Sequence, residues 1–215
     1  MADLIIFDLD GTLINSVGGI AESVNKTRLD LGFEPLPESL ITTFTGDGAK
    51  KLLERSLADV KSPIPLDDAV QLMVKNYASN PTCNTYLYPG VKEGLEKLKE
   101  NKLKLAVVSN KPQLVSDKIL DNLGIRDLLD DNIGGEAGFP LKPAPDAMLY
   151  LLHKYSANAA NSYIAGDNHT DLNAAANAGM KSIFCRYGFG EKLDAVSTVE
   201  VDDFNQLINY ILGEK

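Results

Sequence analysis

DLDGT, residues 8–12, sets two carboxylates, Asp8 and Asp10, two positions apart at the end of a short apolar run, with Gly11 next to let the chain turn sharply. Side chains two apart leave a strand on the same face. One such carboxylate can attack phosphorus while the other trades a proton with the leaving oxygen. Three further groups follow apolar runs. VVSN brings Ser109 and Asn110, which can donate hydrogen bonds to phosphoryl oxygens. LKPAPDAML carries Lys142, a cation whose backbone is fixed by prolines on its carboxyl side. GDNHTDL places Asp167 at a strand end and Asp171 four residues on, one turn into a helix. Gly11, Thr12 and Asn110 are candidate substrate contacts. Each feature alone also fits a plain structural role: a solvated turn, a helix-capping serine, a surface lysine or acid pair. In this order, each at the carboxyl end of a strand, they point to one site.

The elements that must carry these residues alternate. Apolar runs at 3–8, 103–108, 162–166 and 181–184 read as buried parallel strands. Between them, 90–101 puts Val91, Leu95 and Leu98 on one helical face, and 112–123 does the same with Leu114, Ile119, Leu120 and Leu123. The expected fold is α/β, a doubly wound parallel sheet with its functional loops at the carboxyl ends of the strands. Residues 16–84 break the alternation, with helical patterns at 17–31, 48–60 and 66–79 and no convincing strand, punctuated by proline-bearing segments. The expected organisation is a core of residues 1–15 and 85–215 with an all-helical domain, 16–84, inserted after the first strand. The tail VDDFNQLINYILG is expected to close the fold as an amphipathic helix.

Composition limits the partners. With 215 residues, 44% hydrophobic and 24% charged, the chain suits an ordinary globular α/β protein. A net charge of −9 and a pI near 4.7 argue against nucleic acid or anionic membrane. No apolar run approaches the ~20 residues of a membrane span, and the acidic start lacks a secretory signal's basic residues, so a cytoplasmic location is expected. Cys83 and Cys185 show no metal-ligand spacing and read as free thiols. An anionic substrate would need local cations against this background.

These motifs resemble those of the haloacid dehalogenase superfamily of aspartyl-phosphate enzymes, over nearly the whole chain. DLDGTL is similar to its first motif, VVSN to its second, Lys142 to its third and GDNHTDLNAAANAGM to its fourth. The resemblance implies that Asp8 is the nucleophile, Asp10 the general acid and base, and Ser109 and Lys142 the phosphate ligands. It further implies that Asp8, the Asp10 backbone carbonyl and Asp167 hold Mg²⁺, with Asp171 supporting that shell. Electrostatics agrees with the carry-over. Each like-charge pair about 4 Å apart costs roughly 4 kcal/mol at an effective dielectric of 20. A hard divalent ion with oxygen ligands, plus the Lys142 ammonium, would reverse the sign.

A helical insertion after the first motif resembles a family cap that closes over small substrates. TGDGAKKLLERSL at 45–57 and SNKPQ at 109–113 look most like phosphoglycolate phosphatases. The reading is therefore a Mg²⁺-dependent phosphatase of small phosphate monoesters, including 2-phosphoglycolate, working as a monomer or homodimer. Gly46 and Gly48 would let backbone approach the ligand, and Lys50, Lys51 or Arg55 would meet a second anionic group, unless they form one solvated helix face. The stretch is no P-loop, because alanine follows Gly48. His153 and His169 suit capping or surface roles better than catalysis. Asn168 bears on the metal's outer shell. The rival readings are a β-phosphoglucomutase-like phosphosugar mutase and a non-enzymatic phospho-receiver module, the latter disfavoured by the DxD pair and the insertion.

Overall fold

The computed structural model describes residues 2–213; Met1, Glu214 and Lys215, at the outer ends of the expected core segments, lie outside the described residues. The run after Asp3 forms β1 (Leu4–Phe7), buried throughout as a strand covered on both faces must be. The chain continues through β2 (Ile14–Asn15), α1 (Val17–Asp30), α2 (Glu38–Thr42), α3 (Ala49–Ser56), α4 (Leu66–Ser79) and β3 (Tyr86–Leu87). Alternation then resumes with α5 (Val91–Glu100), β4 (Lys104–Pro112), α6 (Gln113–Asn122), β5 (Asp131–Gly135) and α7 (Asp146–Lys154). It ends with β6 (Tyr163–Gly166), α8 (His169–Asn177), β7 (Lys181–Cys185), β8 (Val199–Val201) and α9 (Phe204–Leu212).

Six strands form one parallel sheet in the order β5-β4-β1-β6-β7-β8. The chain leaves β1 for β4 and β5 on one side and returns to β6 on the other. The order therefore reverses at β1, and a crevice opens there beyond the strand ends, where such sheets bind ligands. Pleating sends Ile5 and Phe7 toward Leu95, Ile119 and Phe204 on one face. It sends Leu4 and Ile6 toward Met148 and Ala174 on the other. The expected doubly wound sheet is thus present.

Several details differ from the sequence expectation. β5 and β8 escaped it because DNIGG offers one large apolar residue and VEV only three residues in all. β4 runs on to Pro112, so Ser109 and Asn110 lie within a strand whose pairing shifts register after Val108, instead of following it. α3 ends at Ser56, short of residue 60. α2 and α7 had no counterpart in the periodicity reading. Both cysteines are free, Cys185 buried and Cys83 half-buried. Among the described residues no helix is long and apolar enough to cross a membrane.

Helices α1 to α4 occupy the segment between β2 and β3, which pair antiparallel, Ile14 opposite Leu87 and Asn15 opposite Tyr86. The two chain crossings are thereby tied together. Arg28 fastens the helices to one another. Its side chain is buried, and its guanidinium donates to both Asp59 carboxylate oxygens at 2.8 Å, to the Glu34 carbonyl at 2.7 Å and to the Ser56 carbonyl. Asp59 is about half exposed, so the ion pair itself is screened. The buried carbonyl contacts dominate, and Arg28→Met is expected to cost about 2–3 kcal/mol, read as a lower urea midpoint at unchanged slope.

Candidate active site

Asp8 extends β1 by one residue, its N–H donating to the Ala165 carbonyl at 2.8 Å. The chain turns at once: Gly11, at φ +76, donates to the Ile14 carbonyl, and a Cβ there would sit 1.9 Å from Asp167 Oδ2. Only glycine lets this turn pack against that carboxylate. Lys142 reaches the same point from the loop after β5. Its Nζ lies 2.7 Å from Asp8 Oδ1, 2.6 Å from Asp171 Oδ1 and 2.8 Å from the Val108 carbonyl. The Asp8 contact is an ion pair without hydrogen-bond geometry, which leaves Asp8 Oδ1 buried with no directed donor.

Asp171 sits in the first turn of α8, where its Oδ2 accepts from the Asn168 N–H at 3.1 Å while Asn168 Oδ1 accepts from the Thr170 N–H at 3.2 Å. This reciprocal capping fixes the acid against Lys142. Asp167 Oδ2 accepts from the N–H groups of Phe189 and Gly190 at 2.9 and 2.7 Å, in the loop after β7. Asp10 is held apart from these. Its carboxylate accepts from Lys111 Nζ at 2.8 and 2.9 Å and from Ser16 Oγ at 2.5 Å.

Burial dominates the electrostatics. It raises the Asp8 carboxyl to about 6, with Lys142 pulling down and Asp171 and Asp10 pushing up. Burial, then Asp8 and Asp171, raise Asp167 well above the usual carboxylate range despite its two backbone donors. For Lys142, burial alone would favour the neutral amine, but Asp171 and Asp8 outweigh it and the ammonium is strengthened. A carboxyl raised in the folded state contributes stability that is complete below its unfolded value of 3.8 and lost as pH rises through about 6. The chelator-treated protein is therefore expected to melt higher at pH 5.5 than at pH 7.5. In Asp8→Asn that difference shrinks, which differential scanning calorimetry can check.

The candidate residues Asp8, Asp10, Ser109, Asn110, Lys142 and Asp167 line one cavity between the strand ends and the helices of 17–79, together with Gly48. The cavity volume is about 70 Å³. Asp171 lies beneath it, fully buried. Asn110 is already engaged: its amide donates to the Gly46 and Lys142 carbonyls at 3.0 and 3.1 Å, and its oxygen accepts from the Lys142 N–H at 2.8 Å. That side chain clamps the Lys142 backbone and is not free to meet a phosphoryl oxygen.

Three expected substrate contacts lie outside this cavity. Lys50 is exposed and paired with Asp67 at 2.7 Å, outside the cavity, because α3 turns that face to solvent. Gly11 and Thr12 do not line the cavity either; Gly11 is packed under Asp167, and Thr12 is fully buried with its carbonyl accepting from Tyr187 Oη. Sequence reading missed Lys111, Tyr77 and the Phe189–Gly190 N–H groups. The apolar run was read as ending at residue 108, so nothing in the sequence marked Lys111 as lying in a buried strand.

Asp8, Asp167 and Asp171 each offer a carboxylate oxygen within 4.8 Å of the others. The donors are all oxygen, and Asp8 Oδ1 is buried without a directed donor, so this cluster suits a hard divalent cation. Asp10 adds no side-chain oxygen to it.

A model of the haloacid dehalogenase-like hydrolases matches residues 5–185. The chain belongs to that family. It is 35% identical, over 97% of its length and 95% of the relative's, to a Psychrobacter arcticus protein named phosphoglycolate phosphatase. It is 37% identical to an Aquifex aeolicus protein of the same name, over 86% and 85% of the two chains. A crystal structure of a Haemophilus somnus protein, described as a predicted phosphoglycolate phosphatase, superposes with a TM-score of 0.90 at 30% identity, covering 97% of each chain. This member of the family is a phosphoric monoester hydrolase.

Proposed function

We propose that this phosphatase is Mg²⁺-dependent, hydrolyses 2-phosphoglycolate and forms an aspartyl phosphate on Asp8. The observation that carries the reading is that the two carboxylates of DLDGT stand in different surroundings. Asp8 lies against Lys142 beside Asp167 and Asp171, and Asp10 is held by Lys111 and Ser16. Pairs of acids separated in this way take separate roles.

An Asp8 oxygen attacks phosphorus, and the bond from phosphorus to the leaving oxygen breaks as Asp10 gives that oxygen its proton. Water then attacks the phosphoryl group, Asp10 takes the water's proton, and the bond to Asp8 breaks to release phosphate. Lys142 meets the phosphoryl charge and holds Asp8 in line, with Ser109 donating beside it. Asp8 and Asp167, steadied by Asp171, would hold Mg²⁺, which when bound supplies the positive charge that lets these acids accept a phosphate anion. Residues 16–84 serve as a cap, joined to the core across the β2–β3 pair, whose helices shut out water.

The small cavity and the relatives' names support a small phosphorylated substrate. The test is a screen of phosphorylated metabolites with Mg²⁺. Phosphoglycolate is expected to release free phosphate fastest. Release from none of them, or conversion of β-glucose 1-phosphate to glucose 6-phosphate in its place, would overturn the reading.

A further inference from the structure

Phosphoglycolate carries a second anionic group, and the cap cations expected to meet it are engaged elsewhere. Lys50 pairs with Asp67, Lys51 with Glu54 and Arg55 with Asp47, and none of the three lines the cavity. Two cationic side chains do line it among the described residues, Lys142 and Lys111. Lys142 stands between Asp8 and Asp171, where the proposed reaction places the phosphoryl group, which leaves Lys111 beside Asp10 to face the rest of the substrate.

Lys111 comes from β4 and is buried, with its ammonium against both Asp10 oxygens and 4.5 Å from the centre of the Tyr77 ring. Tyr77, from α4, is 6% exposed and lines the same cavity, and its buried hydroxyl stands near the Lys111 ammonium and Thr85 without a well-directed hydrogen bond to either. A buried hydroxyl left without a well-directed bond is costly unless a ligand answers it. On this side the cavity wall is otherwise apolar, with Ile20, Leu52, Met73 and Val74.

We infer that Lys111 and the Tyr77 hydroxyl together form a subsite for a carboxylate on the carbon next to the leaving oxygen, and so select 2-phosphocarboxylates over neutral phosphate esters. The inference rests on the phosphatase reading and on Asp10 meeting the leaving oxygen. In phosphoglycolate the carboxylate carbon is two bonds from that oxygen. A group so close to Asp10 is also close to the ammonium that touches both Asp10 oxygens. The apolar wall strengthens the charge contact by excluding water. One lysine thus orders the acid and recognises the substrate, and a tyrosine on the opposite helix closes over the anion.

The test compares phosphoglycolate with ethyl phosphate, which has the same two-carbon leaving group without the charge. Tyr77→Phe keeps the ring beneath Lys111 and removes only the hydroxyl. It is expected to lower the ratio of kcat/KM for the two esters roughly tenfold, mainly through KM for phosphoglycolate, and Lys111→Met about a hundredfold. Binding provides a second readout. In an Asp8→Asn background, calorimetry should show phosphoglycolate losing affinity on either substitution while the affinity for ethyl phosphate changes much less. Equal losses for both esters in Tyr77→Phe would overturn the subsite and leave Lys111 as a support for Asp10 alone. Wild-type hydrolysis of ethyl phosphate as efficient as that of phosphoglycolate would also overturn it, with the phosphatase reading intact. Hydrolysis of neither ester would remove both.

Discussion

Asp8→Asn is expected to lower kcat for phosphate release by a factor on the order of 10⁵ or more, because it removes the atom that bonds to phosphorus. Asparagine has the same shape, and the backbone bond from residue 8 to the Ala165 carbonyl is untouched, so the sheet should form as before. Stability should even rise in the absence of metal. Burial and the neighbouring acids disfavour the Asp8 charge, as its value of about 6 records, and the amide carries none. The opposing cost is the lost ion pair with Lys142, which keeps Asp171 as its partner. Three measurements decide the matter: turnover with Mg²⁺, intact mass after acid quench to trap a phosphorylated chain, and the melting temperature. An inactive, folded variant with no trapped phosphate is the expected outcome. Turnover near the wild-type rate would remove Asp8 from the nucleophile role.

The chemistry was legible in this sequence wherever it coincides with a backbone event. Asp8 and Asp167 end buried strands, and an apolar run that stops at an acid marks the sheet's functional edge without knowledge of its partners. Gly11 stands where a positive φ and the approach of Asp167 both exclude a side chain. The alternation of strands and helices fixed the layer order for the same reason, since a parallel strand needs a crossover. Lys111 and Tyr77 carry no such mark. They meet because α4 packs over the end of β4, a contact between segments distant in sequence. Lys50 shows the opposite limit: the sequence left open whether it meets a ligand or lies on a solvated helix face, because which face of α3 turns to the cavity is set by packing, and that face belongs to Ala49 and Leu52. Asn110 shows a third kind of limit, because a side-chain amide after an apolar run serves a ligand or a backbone equally well, and here it clamps Gly46 and Lys142.

Lys142→Met is expected to lower kcat/KM by about 10²–10³, the usual cost of removing one preorganised charge from a developing anion. The same change should destabilise the metal-free protein by about 3–5 kcal/mol, because it leaves Asp8 and Asp171 buried without their counter-charge. Methionine fills similar volume, so the loss is electrostatic and not a cavity. The two effects separate on addition of Mg²⁺, which binds the folded state and so restores much of the stability by mass action. It cannot restore the ammonium aimed at the phosphoryl oxygens. A variant that melts close to wild type with Mg²⁺ and is still at least about a hundredfold slower would place Lys142 in the reaction itself. If activity recovers along with the melting temperature, its role is confined to holding the acids together. A Lys142→Arg variant sharpens the distinction, since it keeps the charge but spreads it over a planar fork that fits poorly between Asp8, Asp171 and the Val108 carbonyl. It should recover more stability than rate, because neutralising buried acids tolerates a displaced charge and in-line attack does not.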